Sequence, residues 1–228
     1  MNKKLLVCLL LMAPLVAVAE DSPFPSTAKG IQIVPMAKQE LPAILKADII
    51  ASNKEEKEKG YITTNDDKAH YLLNINRDVP YQLAAEKTKD YGVMDTRIKK
   101  SYKEIKLSFP FSPIKGITQS DVIGYAAIGS FEKNGWNGLK EIFHSDLGNC
   151  SYSRMGIKAV QLAEETTEYF VNKKPSNKII EGNINSGFLY SINWYTDTTM
   201  NTLECANMNF TPEIMDKMIT LANKIDKS

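Results

Sequence analysis

The clearest strand in this sequence is FLYSINWY, residues 188–195. The side chains of an extended chain point alternately to opposite faces. One face of this strand carries Phe188, Tyr190, Ile192 and Trp194. The other carries Leu189, Ser191, Asn193 and Tyr195. Because a surface so rich in aromatic rings is unfavourable in water, we expect a second layer, either sheet or helix, to cover it.

Two cysteines, Cys150 and Cys205, flank this strand. The third, Cys8, lies in an N-terminal apolar run that we expect to be removed. An even number of cysteines in an exported chain indicates a disulfide, and the spacing lacks the short CxxC pairing of redox and zinc sites. We therefore predict a Cys150–Cys205 disulfide. Closing a loop of about 55 residues would stabilise the fold by roughly 4 kcal/mol.

The N-terminus has the arrangement of a secretory signal peptide. Lys3 and Lys4 precede an apolar run at residues 5–16, and Ala17-Val18-Ala19 supplies the small residues that signal peptidase recognises. The apolar run is shorter than the roughly 20 residues that a helix needs to cross a bilayer. We predict cleavage near Ala19, a periplasmic or extracellular location, and no transmembrane segment in the mature chain.

Charge and length limit the partners and the domain organisation. Residues 1–19 contain two lysines and no acid, which leaves 26 basic and 27 acidic residues and a mature net charge of −1. Nucleic-acid binding needs a concentrated positive field, so we predict no nucleic-acid partner. We assign residues 1–19 to a signal peptide, 20–100 to an extended and helical segment, and 101–228 to an α+β region. We expect 20–228 to be one domain.

Several other segments have strand patterns. Residues 122–133 and 136–145 flank Asn134-Gly135, which favours a type I′ hairpin turn, and the glycines in the flanking segments predict a bulge. Residues 105–111 alternate apolar and polar positions, which predicts a half-buried strand. Further strands are predicted at 61–64, 71–76 and 150–155, and as a three-strand meander at 179–184, 187–196 and 200–208.

Three segments have helical character. Residues 39–52 include Pro42, which suits a first turn. Residues 157–169 suggest a second helix, although 166–171 is rich enough in Thr and aromatic residues to form a strand instead. The last helix should have Thr211 as its N-cap and Pro212 at its first position. These patterns favour an α+β fold, a mainly antiparallel sheet with a C-terminal helix packed on one face and one disulfide.

Histidine chemistry offers one enzymatic hypothesis. The sequence has two histidines, and His144 lies in Phe143-His144-Ser145-Asp146. His144 could act as a general base, oriented by Asp146, on Ser145 or Ser151. The GxSxG pattern of a nucleophile elbow is absent. The alternative is that His144 is a polar residue at a strand end, with Asp146 in the following turn.

Candidate metal and cofactor motifs are incomplete. Asp66, Asp67 and His70 could share one side of a helical turn, but the glycine and the closing glutamate of a calcium loop are missing. No glycine-rich phosphate loop or dinucleotide fingerprint is present. We predict no metal, no cofactor, and a surface turn at residues 65–70.

Aromatic residues supply the candidate ligand contacts, namely Trp136, Tyr152 and Tyr195. Tyr195 should point away from the Trp194 face, so we expect it to be the more exposed. The function most consistent with these observations is a non-enzymatic, exported bacterial binding or interaction module for an unknown protein, peptide or glycan. The alternative is a secreted hydrolase that uses His144 and Asp146.

Overall fold

The computed structural model describes residues 30–39, 41–75 and 98–227, together with the backbone of two short strands at 87–88 and 92–93. The predicted signal peptide at residues 1–19 lies outside the described residues. The strands and longer helices follow in this order: β1 (Gly30–Val34), α1 (Ala43–Lys59), β2 (Ile62–Thr63), α2 (His70–Leu73), β3 (Lys87–Thr88), β4 (Gly92–Val93), β5 (Val122–Glu132), β6 (Gly135–Ser145), β7 (Gly148–Gly156), β8 (Ala159–Ala163), β9 (Glu168–Val171), β10 (Lys174–Asn183), β11 (Gly187–Tyr195), β12 (Thr199–Asn207) and α3 (Glu213–Asp226).

The main sheet has the strand order β2-β10-β11-β12-β7-β6-β5, and β9 also pairs with β10. Its pairings are antiparallel except for β2 with β10, which run parallel. Separately, β1 and β8 form a parallel two-stranded sheet. The predicted α+β class is confirmed, and the sheet is mainly antiparallel with a mixed edge.

The predicted meander is confirmed as β10, β11 and β12, which are consecutive neighbours in the sheet. The residues of β11 divide between two cores as their alternation predicts. Phe188, Tyr190, Ile192 and Trp194 belong to the largest hydrophobic cluster, whereas Leu189 belongs to a cluster with residues of α2. We call the side of the sheet that carries Trp194 the aromatic face.

The predicted disulfide is confirmed. Cys150 on β7 lies directly opposite Cys205 on β12, and their sulfur atoms are bonded. Both residues are fully buried within the aromatic-face cluster. The disulfide therefore joins two neighbouring strands at the centre of the sheet.

The predicted β5–β6 hairpin is confirmed, but its type I′ turn is wrong. Lys133 and Asn134 form the turn, and the positive φ of +135° falls on Gly135 instead. Glycine is required there because a Cβ atom on Gly135 would lie 2.5 Å from the carbonyl oxygen of Lys106. The predicted bulge is confirmed by a register shift between Ile128 and Phe131.

Of the segment predicted as a strand at 71–76, residues 71–73 form part of a helical turn, and residue 76 lies outside the described residues. This turn is α2, and the three-residue spacing of Ala69, Leu72 and Ile75 places all three in one buried cluster. Such spacing fits one side of a helix and not one face of a strand. The strand prediction is therefore wrong because short apolar runs fit either structure.

Residues 105–117 form an extended segment that we call the strap. Its predicted strand at 105–111 is wrong, since within the described chain this stretch makes only an isolated bridge between Leu107 and Trp136. The alternating residues are nevertheless partly buried against Val122, Tyr125 and Leu139. The alternation predicted burial correctly, but the backbone does not join the sheet.

The helix predicted at residues 157–169 is replaced by β8, a short 3₁₀ helix and β9. Residues of β8 pair with β1, which lies 129 residues away, and the backbone N–H of Met36 donates to the carboxylate of Glu165. This long-range pairing overrides the local helical pattern. The alternative prediction of a strand at 166–171 is confirmed by β9.

The two predicted helices form with different ends. Helix α1 starts after Pro42 and extends to Lys59, where Gly60 adopts the left-handed conformation of a C-cap. Helix α3 starts at Glu213, with Pro212 and not Thr211 at the N-cap. Five buried α3 residues belong to the same cluster as the aromatic face: Ile214, Met215, Met218, Ala222 and Ile225.

Candidate functional site

The face of the main sheet opposite the aromatic one is polar across five neighbouring strands. One row of directly paired residues consists of Lys140, Ser153, Thr202, Asn193 and Asn177. The next row consists of Ile142, Ser151, Glu204, Ser191 and Ile179. Paired residues of antiparallel strands lie side by side on one face. We call the polar members of the two rows the polar floor.

The centre of the polar floor is buried. Ser151 is 0 % exposed, Ser191 2 %, Asn193 3 %, Thr202 6 % and Ser153 7 %. A buried polar side chain calls for an explanation, whereas an exposed apolar one does not. On burial the polar group loses its hydration, and it stabilises the core less than an apolar residue would. The polar floor is therefore an interior surface whose composition does not follow from packing alone.

One carboxylate oxygen is the focus of this surface. Glu204 Oε2 accepts hydrogen bonds from the Tyr71 hydroxyl at 2.5 Å, from Ser151 Oγ at 3.0 Å and from Lys140 Nζ at 3.1 Å. Tyr71 belongs to α2, which packs on β7 and β12, and its hydroxyl also accepts from Lys140 Nζ at 3.3 Å. The side chains of Lys140 and Glu204 are 18 % and 13 % exposed.

The charge states of Tyr71, Lys140 and Glu204 follow from the contacts among these three residues. Burial raises the pKa of Tyr71, and the Glu204 carboxylate raises it further. Burial alone would lower the pKa of Lys140, but Glu204 and Tyr71 outweigh it and the pKa lies above its ordinary value. Burial would likewise raise the pKa of Glu204. The positive charge of Lys140 and the hydrogen bonds from Tyr71, Lys140 and Ser151 outweigh burial and lower the pKa overall. At neutral pH the group contains an ammonium, a carboxylate and a neutral phenol.

These charge states limit the proton transfers that Tyr71, Lys140 and Glu204 can perform near neutral pH. A general base works best with a pKa near the working pH, and activation of a serine by lysine needs a neutral amine. Lys140 is instead held protonated, and Ser151 donates to a carboxylate whose pKa is low. The group can bind hydrogen-bonding partners, but within it no side chain is tuned to transfer protons near pH 7.

A second hydrogen-bond network links the row that contains Thr202, Asn193 and Asn177. Thr202 Oγ1 donates to Asn193 Oδ1 at 2.7 Å, and Asn193 Nδ2 donates to Asn177 Oδ1 at 2.9 Å. A further hydrogen bond connects Asn177 with the hydroxyl of Tyr195. Burial raises the pKa of Tyr195 to about 12, so its hydroxyl stays neutral. The network fixes the orientation of both amide groups.

Two hydroxyls of the polar floor remain available. No hydrogen bond from the described residues reaches Ser153 Oγ or Ser191 Oγ. Every buried side-chain nitrogen and oxygen among those residues has a partner, so these two oxygens keep contact with solvent. Hydroxyls can both donate and accept, which makes them versatile contacts for a bound molecule.

The predicted catalytic residues are not joined to one another. His144 Nδ1 is hydrogen-bonded to Asn149 Oδ1, and Asp146 is exposed. Ser145 Oγ bonds to the Gly148 carbonyl, while Ser151 Oγ bonds to Glu204. In the part of the chain that the structure describes, no hydrogen bond links His144 with Asp146, Ser145 or Ser151. The hydrolase hypothesis stays a prediction.

The predicted aromatic contacts lie in three different surroundings. Trp136 is half-buried, and its ring meets that of Phe131 edge-on at 5.7 Å. Tyr152 is buried and stacks on Trp194 with ring centroids 5.8 Å apart. The expectation that Tyr195 is exposed is wrong, because it is 2 % exposed at the end of the polar floor. Tyr152 and Tyr195 lie on opposite faces of the main sheet, and a role of the three residues in ligand contact stays a prediction.

The described residues contain no group of three or more His, Cys, Asp or Glu side chains placed to hold a metal ion. His70 Nδ1 bonds to the amide of Asn74, and the backbone N–H of Asp66 donates to Thr64 Oγ1. These contacts belong to a turn. Among the helices in the described ranges, none combines the length and apolar character needed to span a bilayer.

Sequence reasoning missed most of the polar floor. Lys140, Glu204 and Tyr71 gave no motif, because they come from three separate elements and meet only in the fold. The available signal was the polar half of the β11 alternation, Ser191 and Asn193, next to similar polar positions in β7 and β12. That pattern is typical of a solvent-facing side of a strand, and the burial was not visible in it.

The chain matches no known family model, and comparison with curated proteins and with solved structures gives no match. The site must therefore be interpreted from its own geometry.

Proposed function

We propose that this chain is an exported bacterial binding module, periplasmic or extracellular, which holds a neutral, hydrogen-bonding peptide or glycan over the polar floor without catalysis. The observation that carries the proposal is the burial of Ser151, Ser191 and Asn193 on one sheet face. Departures from the expected apolar pattern of a core are typical of functional sites. Export rests on the signal-peptide pattern at residues 1–19.

The proposal takes α3 to be the layer that covers the aromatic face. In its support, the buried α3 residues share one cluster with Phe188 and Trp194, and Trp194 Nε1 donates to Asp226 Oδ1 at 3.0 Å. The backbone N–H of Thr211, just before α3, donates to the Tyr190 hydroxyl at 2.6 Å. With the aromatic face covered in this way, the proposal places the ligand on the opposite face, at the Ser153 and Ser191 hydroxyls that keep contact with solvent.

The expected ligand is neutral because the fixed charges of the polar floor cancel. Lys140 and Glu204 form an ion pair, so an added charge would gain little from either and would be desolvated on entry. Ser153 and Ser191 offer hydroxyls that match amide and hydroxyl groups of a ligand. Peptide bonds and sugar rings both supply such groups.

Thermal unfolding in the presence of neutral probes tests this function. The purified, oxidised protein would be screened with N-acetylglucosamine, maltose and a blocked tri-glycine peptide. A probe present at 100 times its Kd should stabilise the fold by about 2.7 kcal/mol, which is roughly 5–10 °C for a chain of this size. Ser191→Val should remove most of that shift, because the larger apolar side chain fills the floor and removes its hydroxyl.

Ser130→Val is the matched control, since Ser130 is exposed on β5 and should leave the shift unchanged. The proposal is wrong if no probe raises the unfolding temperature, or if the shift is as large in Ser191→Val as in the unmodified protein.

A further inference from the structure

Glu141 is a carboxylic acid with no exposed surface. It lies on β6 with Tyr125 of β5 on one side and Tyr152 of β7 on the other, and the pairing register places it on the aromatic face. Its side chain is 0 % exposed. Its cross-strand neighbours Tyr125 and Tyr152 belong to two hydrophobic clusters, so this position is not part of the polar floor.

Two neutral donors contact this carboxyl group. The backbone N–H of Ile114, in the strap, donates to Oε2 at 3.2 Å, and the Tyr125 hydroxyl approaches Oε1 at 3.4 Å. Among the described residues, no Lys, Arg or His forms an ion pair with Glu141. By contrast, Glu181 pairs with Lys68 at 2.9 Å. Within the described part of the chain, Glu141 is therefore a buried acid without an ion-pair partner.

The charged groups near these elements are engaged elsewhere. On β7, the guanidinium of Arg154 lies over the ring of Phe109 in the strap at 5.7 Å. On α3, Asp226 pairs with Lys174 and accepts from Trp194. Tyr102 lies against Tyr125 with ring centroids 5.6 Å apart, and Tyr152 donates to Asn201. The groups that face Glu141 directly are the neutral phenols of Tyr125 and Tyr152.

An ionised carboxylate in such surroundings is strongly disfavoured. Removing a charge from water costs several kcal/mol when no opposite charge compensates it. The protonated form avoids that cost, and its carboxyl oxygens can still accept from Ile114 and from the Tyr125 hydroxyl. Burial accordingly raises the pKa of Glu141, although the hydrogen bonds from Ile114 and Tyr125 partly oppose the rise.

We propose that Glu141, fully buried between Tyr125 and Tyr152, stays protonated in the folded chain over a pH range in which it is ionised in the unfolded chain, so that the fold loses stability as pH rises through that range. The inference does not depend on ligand binding at the polar floor.

The sign of the effect follows from linkage. Below the unfolded value of 4.5, both states carry the proton and the stabilisation is complete. As pH rises above 4.5, the unfolded chain loses the proton first, so the free energy of unfolding falls until pH exceeds the folded pKa. Burial also raises the pKa of Glu56, so both Glu56 and Glu141 contribute to the pH dependence of the free energy of unfolding. A difference between two variants isolates Glu141.

Urea unfolding of the unmodified protein and Glu141→Gln between pH 4 and pH 8 tests the proposal. Glutamine keeps the shape and cannot ionise. We expect similar midpoints at pH 4 and a higher midpoint for Glu141→Gln at pH 8. At pH 8 the folding equilibrium constants of the two proteins should differ tenfold for each pH unit that separates the unfolded and folded pKa values of Glu141. Glu132→Gln, at the exposed end of β5, should show no such gap.

The carboxyl ¹³C shift of Glu141 in the unmodified protein provides an independent test if Glu141→Gln does not fold. The proposal requires a titration midpoint above 4.5. A midpoint at or below that value, or parallel urea profiles for the unmodified protein and Glu141→Gln, would overturn it.

Discussion

The two faces of the main sheet are both buried, yet they are held by different interactions. The aromatic face combines large apolar side chains such as Trp194 and Leu203 with the Cys150–Cys205 disulfide. The polar floor opposite it is held by hydrogen bonds and by the Lys140–Glu204 ion pair. The extent of burial alone therefore does not identify the face that contributes more to the stability of the fold.

The two faces also shift the pKa of a buried carboxyl group in opposite directions. Glu141 on the aromatic face forms no ion pair with any residue that the structure describes, and burial raises its pKa. Glu204 on the polar floor has an ammonium and two hydroxyls on one oxygen, and its pKa is lowered despite burial. The difference teaches that the neighbours on each face, and not depth, decide the charge of an acid in this sheet.

Removing the disulfide should give the largest loss, because it acts on the aromatic face and on the unfolded chain together. The Cys150→Ala/Cys205→Ala variant should unfold with about 4 kcal/mol less free energy, as expected for a loop of about 55 residues. Urea denaturation of the oxidised protein and of the variant measures the difference. Two titratable thiols in the oxidised protein, or equal urea midpoints, would contradict the assignment.

Breaking the ion pair of the polar floor should give the next largest loss. Glu204→Leu leaves Lys140 without its partner and should cost about 3 kcal/mol, whereas Lys140→Met/Glu204→Leu should recover most of that loss. The matched control is Lys178→Met/Glu168→Leu, which removes a more exposed pair worth under about 1 kcal/mol. If the double variant at Lys140 and Glu204 is as unstable as Glu204→Leu, charge is not the reason.

The pH dependence that Glu204 contributes to stability should be opposite in direction to that of Glu141. Because its folded pKa is lowered, Glu204 contributes stability that is present above the unfolded value of 4.5 and is lost as pH falls through the folded pKa. The stability gap between the unmodified protein and Glu204→Gln should therefore shrink between pH 5 and pH 2. A gap that stays constant over this range would show that ionisation of Glu204 does not matter.

The sequence predicted the fold best where periodicity and turn residues agreed. The meander and the β5–β6 hairpin combine alternating apolar residues with turn-forming sequences, and both form. The strand expected at 105–111 shows that alternation indicates burial on one side, not membership of a sheet. The helix expected at 157–169 failed because β8 pairs with β1 across a long sequence separation, which no local pattern reveals.

The candidate site was less predictable for a physical reason. Alternating polar residues such as Ser191 and Asn193 have the same pattern whether their face meets water or a second layer. Only the register of β6, β7, β11 and β12 brings Lys140, Ser151 and Glu204 together, and only the position of α2 adds Tyr71. Ser151 was a candidate from the sequence, but as a nucleophile and not as a donor to Glu204.

Our central proposal is that the aromatic face carries most of the stability, whereas the hydroxyls of the polar floor that keep contact with solvent bind a ligand. Neighbouring residues on β11 test this proposal most directly. Urea unfolding should show that Ile192→Ala lowers the free energy of unfolding by about 2–5 kcal/mol. Ser191→Ala should change it by less than about 0.5 kcal/mol while reducing the thermal shift caused by a neutral probe. A loss for Ser191→Ala as large as that for Ile192→Ala would contradict the account.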